Sequence, residues 1–360
     1  MIRLAKPMIT EAEKEGVIAV LDSGMLATGE QVNEFENRFA EYVQVKHGIA
    51  TSSGTTALHA ALASIGITNG DKVITTPFTF IASANSILYC GANPIFVDID
   101  PHTFNIDPDK IEYYLKMGAK AILVVHLFGL PCDMEKIMQI AEKYNVKVIE
   151  DCAQAHGSSI NGKKAGSFGH ISAFSFYPTK NMTTGEGGIV LTNNDEYMKQ
   201  CRKLINHGRS GRYLHDELGY NYRMTNISAA IGLAQLAKLD ELNKKRIANA
   251  KYLSDNLSGI EWLEVPFIPQ GYLHAFHQYT IKIKPSMRDQ VIEHLKANEI
   301  DSAIIYPVTV YNQPIYERLG YGNTKCAVAE ETCKKVLSIP VHPGLDEGHL
   351  DAIIHAVKTI

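Results

Sequence analysis

Residues 121–150 read AILVVHLFGLPCDMEKIMQIAEKYNVKVIE. This stretch begins with five consecutive apolar residues and ends with a second short apolar segment, Lys147–Glu150. Between them, the apolar residues of Met134–Tyr144 recur at helical spacing. An unbroken apolar run is typical of a strand covered on both faces, and a strand–helix–strand order is typical of parallel strands. The stretch therefore predicts an α/β fold built on a parallel sheet.

The same alternation extends over the first half of the chain. Strands are predicted at His47–Thr51, Lys72–Thr76, Pro94–Ile99, Ala121–Leu127, Lys147–Glu150, Ile171–Phe176 and Gly188–Thr192, with helices at Thr56–Ile65, Ile81–Tyr89, Pro108–Met117 and Met134–Tyr144. No helical pattern fits between the last two strands, so antiparallel or irregular pairing is expected there. We expect a mostly parallel sheet with helices on both faces.

Two helices are predicted before the first strand. Thr10 and Glu13 have the spacing of a capping box, and the helix that they begin should end near Gly24. A second helical stretch covers Glu30–Tyr42.

The C-terminal part has a different rhythm. A long helix should begin near Thr225 and end in the charged segment Asp240–Arg246. We therefore divide the chain into a large α/β domain, residues 1–240, and a smaller C-terminal α+β domain, residues 241–360. The second domain is predicted to contain strands at Gln278–Lys284 and Ser302–Tyr306 and helices at Arg288–Ala297 and Leu350–Val357.

Composition and charge narrow the class of protein. The 360 residues are 45% hydrophobic and 21% charged, which is ordinary for a globular protein. A net charge of −4 without basic runs does not indicate a nucleic-acid partner. The sequence contains no apolar run long enough to span a membrane and no signal-peptide pattern at its start. Its six cysteines are scattered without a CxxC pair, so we expect neither disulfides nor a metal site, and predict a cytoplasmic location.

Candidate functional residues come directly after the strands, because ligands of open α/β sheets bind at the carboxyl ends. Asp151 comes after Lys147–Glu150, although an acidic residue there more often caps the next turn. Lys180 lies a few residues after Ile171–Phe176 and before a glycine-rich turn. A lysine held inward between these segments would have a lowered pKa, which suits Schiff-base chemistry.

Two further strand ends carry small or aromatic residues. Ser52–Leu58 reads SSGTTAL, and backbone N–H groups at such a helix start can hold a phosphate, although Ser and Thr are also common helix caps. The segment is neither a P-loop nor a dinucleotide-binding fingerprint. Phe80, after the second strand, can either pack in the core or stack on a planar ligand.

Taken in order, these motifs resemble those of the fold-type I pyridoxal-phosphate (PLP) enzymes. More closely, the chain is similar to the nucleotide-sugar aminotransferases of the DegT/StrS group. The matching motifs run from Ser23–Gly29 to the C-terminal IPVHP segment at residues 339–343. They include SGTTAL (53–58), GANPIFVDID (91–100), EDCAQ (150–154), FSFYPTKN (174–181), GEGG (185–188) and GYNYR (219–223).

The resemblance implies a role for each matching residue. Lys180 would form the Schiff base with PLP and move the proton during transfer, and Asp151 would pair with the pyridine nitrogen of the cofactor. Gln154 and Phe80 would contact the cofactor ring. Gly54, Thr55 and Ser175 would contact its phosphate, which Asn221 of a neighbouring subunit would also reach, so a homodimer with active sites at its interface is expected.

The implied reaction has two halves. An amino acid, usually L-glutamate in this group, gives its amino group to the cofactor, and a nucleotide-linked keto sugar then accepts it. Tyr306 and Tyr311 fall in the segment where relatives bind substrate, but relatives often have His in place of Tyr311 and Pro in place of Thr309. This departure leaves the identity of the sugar open.

Three other functions fit the same motifs. Some relatives remove a hydroxyl group from the sugar, but they have His in place of the lysine, so Lys180 favours amino transfer. A transaminase of a cyclitol or another small ketone is also compatible with the motifs, as is a regulatory protein that has this fold without turnover.

Overall fold

The computed structural model describes all 360 residues. In chain order its helices are α1 (Glu11–Ser23), α2 (Glu30–Val43), α3 (Gly54–Ser64), α4 (Ala82–Tyr89), α5 (Ile111–Lys116), α6 (Met134–Tyr144), α7 (Asp195–Leu204), α8 (Asn226–Leu257), α9 (Arg288–Ala297), α10 (Pro314–Arg318), α11 (Ala327–Lys335) and α12 (Glu347–Lys358). Its strands are β1 (His47–Thr51), β2 (Lys72–Thr75), β3 (Asn93–Phe96), β4 (Ala121–Val125), β5 (Lys147–Asp151), β6 (Ser159–Ile160), β7 (Lys163–Lys164), β8 (Ile171–Ser175), β9 (Gly188–Thr192), β10 (Leu263–Glu264), β11 (Tyr272–Leu273), β12 (Tyr279–Ile283) and β13 (Val336–Ile339).

The large sheet has seven strands in the order β1-β9-β8-β5-β4-β2-β3. β9 pairs antiparallel with both β1 and β8, and the other pairings are parallel. The mostly parallel sheet is therefore confirmed, as is antiparallel pairing between β8 and β9. Because β9 alone is reversed, the carboxyl ends of the other six strands lie along one edge of the sheet.

Both faces of this sheet are buried. On β4, Leu123 contributes to one apolar cluster and its neighbours Ile122 and Val124 contribute to another on the opposite face. All five residues of β4 are buried, as the unbroken apolar run predicted.

The first helix is bounded as the sequence predicts. Thr10 and Glu13 form the capping box of α1, and Gly24 ends the helix with a positive φ of 69°. The helices α1 and α2 both pack against α8, and Glu13 is buried between α1 and α8, where it accepts a hydrogen bond from the side chain of Gln235.

The long helix α8 does not end where we predicted. It continues from Asn226 to Leu257 without a break, so the expected end in the charged segment 240–246 is wrong. Apolar residues recur at helical spacing beyond that segment, and Ala250, Leu253 and Leu257 join the core of the C-terminal layer. The proposed boundary near residue 240 lies inside this helix, and the division at that point stays a prediction.

The C-terminal layer consists of the antiparallel sheet β10-β12-β13 packed with α9, α12 and the end of α8. The predicted strand at Ser302–Tyr306 is wrong, because only Ala303 forms a bridge there, with Ser338.

Several strands of the large sheet end earlier than predicted. After β4, for example, the chain turns away at Leu127–Gly129, where Phe128 adopts a positive φ of 57°.

No helix combines the length and the apolar character needed to cross a lipid bilayer.

Candidate active site

A cavity of about 640 Å³ opens at the carboxyl edge of the large sheet. Most of the residues predicted for the site line it: Gly54, Thr55, Phe80, Asp151, Gln154, Ser175, Lys180 and Tyr306. They come from the ends of β1, β2, β5 and β8 and from the segment between α9 and α10. The parallel order of the sheet thus brings together residues as far apart as Gly54 and Lys180.

Lys180 lies in a tight turn after β8. Its backbone N–H donates to the carbonyl of Tyr177, and the carbonyl of Phe176 accepts from the Thr183 hydroxyl and the Thr184 N–H. These bonds hold the half-buried lysine at the cavity wall. Burial lowers the pKa of Lys180 to about 8, with Asp151 acting in the opposite direction. The neutral form of Lys180 is therefore more populated at pH 7 than that of an ordinary lysine.

Asp151 ends β5 as a buried carboxylate in the cavity wall. It accepts hydrogen bonds from the Ser83 hydroxyl at 2.7 Å and from the Ala153 N–H at 3.0 Å, and no lysine or arginine forms an ion pair with it. Burial raises the pKa of Asp151, while the hydrogen bond from Ser83 and the charge of Lys180 act to lower it. A buried carboxylate without a cationic partner is suited to a ligand that brings a protonated nitrogen.

Behind Asp151, Glu150 organises the neighbouring loop. Its completely buried carboxylate accepts from the ring of His126 and from the N–H groups of Gly166, Phe168 and Gly169. Cys152 completes a group of potential metal ligands with His126 and Glu150. We assign no metal there, because the oxygens of Glu150 are already occupied by donors. Burial and the nearby carboxylates also raise the pKa of the Cys152 thiol, which keeps it protonated.

The helix start after β1 offers donors for an anion. Ser53 caps α3 through its bond from the Thr56 N–H, so its hydroxyl serves the helix. The N–H groups of Gly54 and Thr55 lie in the first turn, where no carbonyl of the helix can accept from them. A side chain at Gly54 would come within 2.5 Å of the Cβ of Ser175, so glycine permits α3 to begin directly against the end of β8.

Gln154, Tyr306 and Phe80 also line the cavity. The Gln154 side chain accepts from the Phe128 N–H at 2.7 Å and donates to the Tyr306 hydroxyl at 3.1 Å. Phe80 is 58% exposed at the cavity mouth, with its ring 6.5 Å from that of Tyr306. Phe80 therefore does not pack in the core, and its ring is open to a planar ligand.

Two predicted residues lie outside the cavity. Asn221 is exposed, and its backbone forms a bridge with Asn206. Tyr311 is completely buried in the core, where its hydroxyl donates to Glu330 and accepts from the Cys326 N–H. Since its only polar side-chain atom is engaged and its side chain has no access to the cavity, we no longer include Tyr311 among the substrate contacts.

The cavity also contains residues that the sequence did not reveal. Ser83 belongs to α4, while His277 and Gln278 come directly before β12. The sequence prediction rested on residues at the carboxyl ends of strands, whereas these three lie in a helix or ahead of a strand. A histidine just outside a predicted strand was the available signal, but nothing local in the sequence indicates that β12 begins beside the large sheet.

These residues fit pyridoxal phosphate. Lys180 supplies the amine for its aldehyde, Asp151 supplies a buried carboxylate without a cationic partner, and the start of α3 with Ser175 supplies donors for its phosphate. Fold and site together define a fold-type I enzyme that depends on pyridoxal phosphate.

Comparison with known proteins agrees with this class. Residues 7–358 match the model of the DegT/DnrJ/EryC1/StrS aminotransferase family. The chain belongs to this family, and it is a PLP-dependent aminotransferase.

Three similar proteins illustrate the relationship. GDP-perosamine synthase from Caulobacter vibrioides is 40% identical, over 100% of this chain and 98% of that protein. A UDP-N-acetyl-3-dehydro-alpha-D-glucosamine 3-aminotransferase from Acidithiobacillus ferrooxidans is 41% identical, over 95% and 92%. The crystal structure of DesV from S. venezuelae in complex with a ketimine intermediate has a TM-score of 0.92 and 33% identity, covering 96% of this chain and 93% of that one.

Proposed function

We propose that this enzyme transfers the amino group of an amino acid, L-glutamate, to a nucleotide-linked keto sugar, giving an amino sugar for glycan or related biosynthesis. The proposal rests on one observation: Lys180 and Asp151 line the same cavity at the edge of the sheet. The sugar rests on the relatives, since two that match almost the whole chain have GDP- and UDP-linked sugars in their names.

The chain's own residues divide the work. When bound, PLP supplies the electron sink that makes a proton on the substrate carbon removable. Lys180 removes and returns that proton, and its lowered pKa leaves a usable fraction in the neutral, basic form. Asp151 places a buried carboxylate in the cavity, which would stabilise positive charge on the bound cofactor. Gln154 and Tyr306, joined by their hydrogen bond, fix the side of the cavity against which the substrate lies.

We further propose that two copies of the chain complete each site. Asn221 is exposed and does not line the cavity of its own chain. The preceding segment exposes Tyr213 at 85% and Leu218 at 83%, an apolar surface of the kind that partner chains cover. These observations support a homodimer in which Asn221 reaches the neighbouring site.

The cytoplasmic location expected from the sequence remains a prediction.

The substrate class can be tested directly. Purified enzyme loaded with PLP is incubated with L-glutamate and either GDP- or UDP-linked keto sugars or a free keto-inositol, and the formation of 2-oxoglutarate and of an amino product is measured by mass spectrometry. We expect amino product from a nucleotide-linked sugar alone. Product from the free ketone would instead favour a cyclitol transaminase, and loss of a sugar hydroxyl without amination would favour a dehydratase. Formation of neither product, with no 2-oxoglutarate, would favour a protein without turnover.

A further inference from the structure

The proposed reaction places a carboxylate next to the reacting carbon. An amino-acid donor carries its α-carboxylate on the same carbon as the reacting nitrogen, so this group must lie within a few ångströms of Lys180. Inside the cavity such a charge needs a hydrogen-bond donor or a cation. Of the lining residues, only Lys180 and His277 can carry a positive charge, and Asp151 and Glu186 are both acidic. Lys180 itself is occupied by the chemistry.

His277 has an unused side chain at this place. The residue is 6% exposed, and its Nδ1 is buried without a hydrogen-bond partner. His277 is also one of the residues that line the cavity. Buried polar groups in folded proteins are usually paired, so an unpaired ring facing a cavity indicates a ligand.

The backbone around His277 is held on several sides. Ala275 donates to the carbonyl of Gly129, and Gln278 donates to that of Phe128. The Asn181 side chain, directly after Lys180, donates to the carbonyl of Ala275 at 2.8 Å. The Asn181 bond connects the 275–278 segment to the lysine turn, and the other two hold its backbone against residues 128 and 129.

From this geometry we infer that His277 binds the α-carboxylate of the amino-acid donor through its imidazole ring. The inference rests on the proposed function, because it assigns a residue to the first half of that reaction.

A histidine suits a site that must accept two unlike substrates in turn. Burial lowers the pKa of His277, and the charges of Lys180 and Arg246 and the neighbouring His156 and His274 act in the same direction. The ring is therefore neutral in the free site and compatible with an uncharged sugar ring. An incoming carboxylate favours the protonated ring and receives a charge-assisted hydrogen bond. A permanently charged arginine would remain buried and unpaired whenever the sugar is bound.

A comparison of two amines isolates the contact. L-Glutamate and 4-aminobutyrate differ by the α-carboxylate, and each is titrated into the PLP-loaded enzyme while the visible absorption of the cofactor is recorded. In His277→Gln, which keeps the size and polarity of the side chain but cannot be protonated, we expect half-saturation by L-glutamate to require about tenfold more ligand. Half-saturation by 4-aminobutyrate should change by less than about twofold.

The matched control is His274→Asn. His274 is also a buried histidine of this segment, but it lies outside the cavity, and its Nδ1 accepts from the Phe276 N–H, a bond that an asparagine oxygen can replace. The His274→Asn substitution should leave both titrations unchanged. If His277→Gln does not hold the cofactor, His277→Asn is used in its place.

The outcomes are distinguishable. An equal effect of the substitution on both amines, or no effect on L-glutamate, would overturn the assignment to His277. If instead L-glutamate leaves the absorption of the wild-type enzyme unchanged, the proposed function fails, and the inference fails with it.

Discussion

Lys180 combines two properties that oppose each other, because its burial favours reactivity at the expense of stability. Its pKa is lowered from 10.5 to about 8 in the folded chain. Below pH 8 the folded protein must hold a charge that burial disfavours. Between pH 8 and 10.5 the unfolded chain binds more protons than the folded chain, so stability rises with pH across that window.

We therefore expect Lys180→Met to stabilise the cofactor-free protein at pH 7. The melting temperature should rise by a few degrees, and the difference from wild type should shrink as the pH increases from 8 towards 10.5. Thermal unfolding at several pH values checks this, with Lys116→Met as the control because Lys116 is exposed on α5. A pH-independent difference would contradict the assigned pKa.

Asp151 is expected to act through charge. Asp151→Asn keeps the shape of the side chain and an oxygen for the Ala153 N–H, and its amide can donate to the Ser83 hydroxyl, but it removes the negative charge that faces the cavity. The rate of the glutamate half-reaction should fall by about 10²- to 10³-fold, as when another preorganised electrostatic partner is lost. Single-turnover absorbance measurements give this rate, and an unchanged value would mean that Asp151 serves only as a structural residue.

Cavity residues at the ends of strands could be predicted from the sequence, whereas cavity residues in other positions could not. Asp151 and Lys180 were found because the carboxyl ends of parallel strands share one edge. The position of His277 depends on how β12 packs beside the large sheet, which no local pattern contains. Tyr311 was misplaced for a related reason, since its burial against Phe96, 5.7 Å between ring centres, is a contact across 215 residues.

Among the elements, the strand β5 contributes to both the scaffold and the site. Its penultimate residue, Glu150, anchors the 166–169 loop through three backbone N–H groups and holds His126, while the next residue faces the cavity. Two successive residues of one strand, whose side chains point in opposite directions, thus serve the scaffold and the site.

Glu150→Ala should be strongly destabilising. It leaves three backbone donors and the buried His126 ring without their acceptor, and we expect a loss of about 3 kcal/mol in the free energy of unfolding. Urea unfolding measures this, with Glu142→Ala on the exposed face of α6 as control. If the two substitutions behaved alike, the carboxylate would not have the anchoring role that its contacts imply.

The strands of the large sheet were predictable, whereas several ends of strands and helices were not. Apolar periodicity identified all seven strands of the large sheet, because each is largely buried. The end of α8 was missed because its charged segment resembles a helix terminus, while the apolar residues beyond it face a second core. Residues 302–306 are mostly apolar and were expected to form a strand. Instead, the last two of them, Ile305 and Tyr306, line the cavity.

For the whole molecule, the proposed exchange of Asn221 between subunits makes each active site a product of two chains. Lys180→Ala and Asn221→Ala should each be inactive or nearly so alone. When they are mixed and allowed to exchange subunits, half of the dimers are hybrids that contain one intact site, so activity should recover to about a quarter of wild type. No recovery despite verified exchange would show that Asn221 acts within its own chain.

Lys180 is expected to carry pyridoxal phosphate and to use it for amino transfer. The visible absorption spectrum of the purified protein with PLP, taken before and after L-glutamate, tests it most directly. We predict a yellow absorption band that bleaches when L-glutamate is added and is missing in Lys180→Ala. A wild-type protein without the band, or a band that persists in Lys180→Ala and does not respond to L-glutamate, would contradict the account.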